Sequence, residues 1–96
     1  MNIQIEFIGF PTIYDLFPEG AHSYTFAGRT IGELVGDLIE KNNPRVRETL
    51  LDGKTQTLDS SIQVTINRQF IKKEELQSRG IQEGDRVIFM RLLAGG

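Results

Sequence analysis

The chain has 96 residues, enough for one domain with a modest core and too few for two. Eleven basic and thirteen acidic side chains leave a net charge of −2, so the basic footprint that nucleic-acid binding needs is missing. The absence of cysteine excludes a disulfide framework, a thiolate metal site and a thiol nucleophile, and confines any sulfur chemistry to a partner or to the C-terminus.

The opening segment, Met1-Asn2-Ile3-Gln4-Ile5-Glu6, lacks the basic start and apolar run of a secretory signal. No stretch approaches the ~20 apolar residues of a membrane span. A cytoplasmic location without a membrane partner is therefore expected. Ile3, Ile5 and Phe7 alternate with polar residues, the period-2 pattern of a half-buried strand. Residues 9–20 hold Pro11 and Pro18 and read as an irregular connection with room for one helical turn. Ser23 to Phe26 forms a second strand, with Tyr24 and Phe26 on one face.

Thr30 and Glu33 make a capping box, and Ile31, Leu34, Val35, Leu38 and Ile39 follow at helical spacing. This amphipathic helix stops at Asn42-Asn43-Pro44, because the residue before proline is pushed out of helical geometry. Val46 to Leu51 suits a short second turn or helix, and residues 53–61 a polar loop. Val64 and Ile66 mark a third strand that turns near Arg68-Gln69 and continues through Phe70-Ile71. Glu74 to Gly80 suits a short helical connection, Gln82 to Asp85 a turn, and Arg86 to Arg91 a last strand. A single amphipathic helix must bury its stripe against one sheet face. The order predicts an α+β domain of the β-grasp (ubiquitin-like) type over residues 1–91, with a mixed sheet on one main helix. Residues 92–96 form an extended tail.

Few side chains are arranged for catalysis. His22 has no clustered ligands and no metal site is expected, since zinc needs three or four converging donors. Glu74-Glu75 and Glu83-x-Asp85 read as charged turns, with Lys72-Lys73 offset by the glutamates beside it. There is no phosphate-binding loop. Gly28, Gly32 and Gly36 recur every four residues, for which close packing beside the helix is the expected reason. On the last strand, Val87 and Phe89 face the helix while Ile88 and Met90, near Ile8, face the other way. That second face is either covered by loops or forms a docking surface.

The tail, Leu92-Leu93-Ala94-Gly95-Gly96, ends in two residues without side chains. Such a strip can thread a narrow channel and present its α-carboxylate there, where activation makes it an acyl donor. Arg91 is expected to pair with a partner's acidic rim, and Leu92 or Leu93 to sit in a partner's groove.

Several segments together resemble the sulfur-carrier branch of the ubiquitin-like proteins, the MoaD/ThiS family. They are Ile3-x-Ile5-x-Phe7, the helix from Thr30 to Leu38, Val64-Thr65-Ile66-Asn67, the run from Gly80 to Val87, and Gly95-Gly96. The molybdopterin synthase small subunit is the branch closest in look. Two departures are Asn67-Arg68, where family members often have Asn-Gly, and Leu92-Leu93-Ala94, where the molybdopterin-type tail is often proline-containing. The resemblance implies that an adenylating partner related to ubiquitin-activating enzymes uses ATP on the Gly96 carboxylate, with Gly95 giving clearance. The chain itself binds no cofactor. A sulfur donor then makes a thiocarboxylate, and an acceptor such as a molybdopterin synthase large subunit takes the sulfur. The chain would be a protein co-substrate or a small non-catalytic subunit. Cofactor biosynthesis with molybdopterin or tungstopterin is the first expectation. Sulfur supply for cysteine, homocysteine, thiamine or tRNA, conjugation to proteins through Gly96, and a plain interaction module are the alternatives.

Overall fold

The computed structural model describes residues 1–91; the expected tail, Leu92 to Gly96, lies outside them. The elements in chain order are β1 (Asn2–Ile8), β2 (His22–Thr25), α1 (Ile31–Lys41), α2 (Pro44–Leu50), β3 (Ile62–Ile66), β4 (Gln69–Phe70) and β5 (Arg86–Arg91). Single 3-10 turns fall at Pro11–Ile13 and Lys73–Glu75. The strands form one mixed sheet in the order β2-β1-β5-β3-β4. β1 and β5 run parallel at its centre, and the outer pairs are antiparallel. This is the β-grasp layout expected from the order of elements.

Alternation decides which residues enter the core. Ile3, Ile5 and Phe7 of β1, Val87 and Phe89 of β5, and Ile62, Val64 and Ile66 of β3 are buried in one cluster with Ile31, Leu34 and Leu38 of α1. Ile39, expected on the same stripe, is only half-buried at its margin. Thr30 caps α1 by accepting the Glu33 backbone N–H at 3.2 Å. Its hydroxyl donates to Glu33 Oε1 at 3.3 Å. Glu33 thus reaches back to the Thr30 hydroxyl, where the usual capping box uses the backbone N–H. Asn42 and Asn43 do more than end α1. Asn42 Nδ2 donates to the Leu38 carbonyl at 2.8 Å, while Asn43 accepts the Arg45 N–H at 2.9 Å and caps α2, with Pro44 in its first turn.

The segment between β1 and β2 is irregular but not peripheral. Phe10, Ile13 and Phe17 recur three and four residues apart, and all three are buried. Phe7 collects the aromatic contacts. It stacks on Phe89 at 5.1 Å, meets Phe10 edge-on at 5.7 Å and lies 4.8 Å from Phe17. The glycine ladder divides by function. A Cβ on Gly32 would lie 2.3 Å from Gln77 Oε1 and 2.9 Å from the Gln77 carbonyl, so close packing explains that residue. Gly36 has nothing among the described residues within 4 Å, so close packing does not explain it. Gly28 precedes the helix and lies against the Phe26 ring.

Two local features carry measurable consequences. The β3–β4 hairpin has a two-residue loop, Asn67-Arg68, with φ of 50° and 74°. Both angles are left-handed, as the tightest hairpin turns require. Asn67 tolerates this conformation and is also fixed by bonds to Asp85 Oδ1 and the Arg86 N–H, each 2.9 Å. Arg68 carries the steric cost of a Cβ at positive φ. Arg68→Gly should therefore raise stability by about 0.5 kcal/mol or more in urea denaturation, the relief outweighing the added freedom of the unfolded chain.

The second feature joins β2 to α1. Tyr24 Oη donates to Asp37 Oδ2 at 2.7 Å, and Lys41 Nζ lies 2.9 Å from Asp37 Oδ1. Burial, and then the Asp37 carboxylate, push the Tyr24 hydroxyl far above the ordinary phenol range. Burial alone would raise the Asp37 carboxyl, but the bonds from Tyr24 and Lys41 outweigh it and hold it below the usual value. A lowered carboxyl stabilises the fold above the ordinary carboxylate range, and that contribution fades as pH falls through the lowered value. Tyr24→Phe should cost about 1–2 kcal/mol at pH 7 in thermal or urea denaturation. The gap between variant and parent should close as pH drops below ~4.

Candidate functional site

The sheet face turned away from α1 is built by the other half of the alternation. The register sets Phe70 (β4), Thr65 (β3), Ile88 (β5) and Glu6 (β1) in one row, and Gln63, Met90 and Ile8 in the next. With strands about 4.8 Å apart, the apolar surface crosses roughly 15 Å of sheet. Ile8 is 41% and Phe70 66% exposed, and Ile88 and Met90 are half-buried between them. Of the two possibilities read from the last strand, the described chain leaves this face open. Arg86 and Glu6 form an ion pair of 2.6 Å at its polar border. Phe70 also lines a groove of about 270 Å³ with Ile62, Ile71, Leu76 and Lys72, so the apolar surface continues around the β4 edge.

The end of β5 is anchored twice. Arg91 pairs with Ile62 across the sheet, and its Nη2 donates to the Thr49 carbonyl of α2 at 2.9 Å. The guanidinium lies 5.2 Å from the Phe10 ring centroid. Sequence reasoning assigned Arg91 to a partner's acidic rim; in the fold its guanidinium is engaged internally. The remaining expected site residues, Leu92, Leu93, Ala94, Gly95 and Gly96, lie outside the described residues. The structure thus brings Ile88, Met90 and Arg91 together on one strand, with Ile8 beside them.

The carboxylates and the histidine serve local structure. Glu83 accepts the Asn2 N–H, and Asp85 accepts the Gln82 N–H at 2.8 Å and Asn67 Nδ2 at 2.9 Å. His22 Nε2 lies 2.6 Å from the Pro18 carbonyl. Among the described residues no three His, Cys, Asp or Glu side chains converge as metal ligands, and no helix is long and apolar enough to cross a membrane.

Two members of the face escaped sequence reasoning. Phe70 was assigned only to a strand, although an exposed aromatic directly after a tight turn was a usable signal. Thr65, which alternates with the core residues Val64 and Ile66, is buried on this outward face, and its Oγ1 has no hydrogen-bond partner among the described residues.

A β-grasp domain with an open apolar sheet face beside the end of its last, central strand has the architecture of the ubiquitin-like proteins. The sequence model of the ThiS family matches residues 21–96. The chain belongs to the ThiS family, a family of ubiquitin-like sulfur carriers and modifiers. Solved structures share the fold. SAMP1 from Haloferax volcanii is 16% identical with a TM-score of 0.73, the match covering 100% of both chains. A chain of the Amycolatopsis orientalis BexX/CysO complex is 18% identical with a TM-score of 0.71, over 98% of this chain and 99% of that one. Urm1 from Trypanosoma brucei is 26% identical with a TM-score of 0.65, over 99% and 95%. No individual curated protein sequence matches the chain.

The orphaned Thr65 hydroxyl gives a direct test of how the face is built. Thr65→Val keeps the shape, removes a buried unpaired group and adds a good strand former. It should stabilise the protein by about 1 kcal/mol in thermal denaturation, where a bonded hydroxyl would give a loss of that size.

Proposed function

We propose that this protein is a sulfur carrier whose reacting group is the carboxylate of Gly96. The observation that carries the reading is a Gly95-Gly96 ending on a chain of the ThiS family. A carboxylate with a pKa of roughly 3.3–3.7 is ionised at neutral pH and is a poor electrophile, so it must be activated. An adenylating partner supplies ATP; the carboxylate oxygen attacks the α-phosphorus, pyrophosphate leaves, and a mixed anhydride with AMP forms. Sulfur at the oxidation level of sulfide then displaces AMP and leaves a thiocarboxylate. An acceptor enzyme takes that sulfur, water restoring the carboxylate. The chain acts as a protein co-substrate. It contributes a thin end and a surface, and the catalytic groups belong to its partners.

The open face around Ile8, Ile88, Met90 and Phe70 is the surface on which those partners dock, with Leu92, Leu93 and Ala94 as further contacts. A structural relative solved in the Amycolatopsis orientalis BexX/CysO complex supports a chain that works together with a partner protein. Molybdopterin or tungstopterin biosynthesis is the destination we favour for the sulfur, on the resemblance of the segments quoted above. The second reading is a modifier joined to lysines of target proteins through Gly96. It is favoured by the fold shared with the small archaeal modifier protein 1 of H. volcanii.

The missing cysteines make the test clean. The protein is purified from cells that hold its activating enzyme, treated with a thiol-alkylating reagent and digested. Alkylation is expected on the C-terminal peptide, and mapping it there avoids confusion with oxidation at Met1 or Met90. A chain lacking Gly95-Gly96 should take up no reagent. An unalkylated chain found instead in high-mass conjugates would replace the carrier reading with the modifier one.

A further inference from the structure

The last strand ends against two stops. On the backbone side, Gly9 follows β1 with φ +86°, and a Cβ there would lie 2.3 Å from the Arg91 carbonyl oxygen. That carbonyl belongs to the peptide group leading to Leu92. Gly9 is held in turn by its N–H, which donates to Tyr14 Oη at 3.2 Å. Gly9 answers both demands at once, a left-handed backbone and a contact that admits no side chain.

On the side-chain side, the Arg91 guanidinium is caught between the Thr49 carbonyl at 2.9 Å and the Phe10 ring at 5.2 Å. Thr49 lies in the last turn of α2, where carbonyls lack intrahelical partners, so a charged donor is well matched there. Neither support yields easily. Phe10 is fully buried, and Thr49 is buried with its hydroxyl 3.0 Å from that of Thr12. An unsupported strand end would fray. Here the backbone of Arg91 packs against Gly9, and its guanidinium is tied to α2 by the Nη2 bond, with Nε buried and without a partner among the described residues.

We infer that Gly9 and Arg91 form a rigid pivot that fixes the position and direction of the backbone at the end of β5, the root from which the chain continues to Gly96. Arg91 is then a positioning residue for chemistry at Gly96, a consequence that rests on the sulfur-carrier reading although the pivot itself does not. Five residues span at most ~17 Å, so the root determines which points the tip can reach. With the sheet face docked on a partner, a tail that starts elsewhere or in another direction delivers its carboxylate less often to the reacting position. Such misplacement costs rate and leaves binding intact.

Two measurements test this. In the first, Ala94→Cys supplies the chain's one thiol for a nitroxide label, and relaxation enhancement is read at the backbone amides of residues 1–91. Arg91→Met keeps the packing of the aliphatic stem and loses the bond to Thr49; Gly9→Ala presses on the Arg91 carbonyl; Arg91→Lys restores the charge. The pattern of enhanced amides should shift in Arg91→Met and Gly9→Ala and return part-way in Arg91→Lys, with amide shifts in β2 and the Asn67-Arg68 turn unchanged. An unaltered pattern in Arg91→Met overturns the pivot, and this holds even where Gly9→Ala fails to fold.

In the second, unlabelled proteins are assayed by ATP–pyrophosphate exchange with the adenylating enzyme of the same host. Arg91→Met should lose about tenfold or more in kcat with KM for the chain unchanged. A raised KM with intact kcat would make Arg91 a direct partner contact and overturn its positioning role. No exchange by the parent chain would count against the sulfur-carrier reading, and the label experiment would then decide the pivot alone.

Discussion

The parallel pairing of β1 with β5 is the constraint on which the rest of this molecule depends. It joins the first strand to the last, and Glu6 and Arg86 meet across it although they stand 80 residues apart in the chain. Loop-closure entropy must be overcome before such a pairing returns any free energy, so the contacts it makes have to be strong. They are apolar and aromatic. Ile5 lies opposite Val87, and the Phe7 and Phe89 rings stack at 5.1 Å over the helix layer. Every other element is a connection between these two strands or a flank to them. The first connection, with Phe10, Ile13 and Phe17, closes one end of the core; α1 and α2 close its open side.

The same pairing sets the functional geometry. Since β5 is central in the sheet, its outward residues Ile88 and Met90 fall in the middle of the open face, and its last residue emerges beside the end of β1. The open apolar face and the end of β5 are therefore properties of one strand. On the carrier reading this separates two tasks that would conflict in one place. The face can be broad and sticky because it takes no part in chemistry. The last two residues can be bare because they need only enter the reacting position. The activating chemistry then needs nothing from the carrier beyond a carboxylate delivered to a fixed place.

Particular residues show where a sequence speaks and where it falls silent. Thr30 and Glu33 announced the start of α1, and Asn42-Asn43-Pro44 its end, because capping is a contract among near neighbours. Asn43-Pro44 also signals the start of α2, information present in the sequence but read only as a stop. Strand alternation divided Val87 and Phe89 from Ile88 and Met90 correctly, since successive side chains must point to opposite faces. It placed Thr65 on the outward face, as the register has it, but could not show that Thr65 is buried there between Phe70 and Ile88 of the neighbouring strands. It also had no means to see that Arg91 faces its own fold. Phe10 and Thr49 reach that residue from two different elements.

By itself, then, the sequence determined the elements, their order, the inward stripe of α1, the absence of thiol chemistry and the bare Gly95-Gly96 ending. All of these rest on composition or on residues a few places apart. Only the tertiary structure decided that the described residues leave the sheet face open, that Phe70 belongs to it, and that Gly9 and Arg91 meet at the end of β5. Those outcomes depend on which distant strands become neighbours and in what register. The free energy that selects such neighbours comes from burying the whole core at once, and it has no signature in any single stretch of the chain.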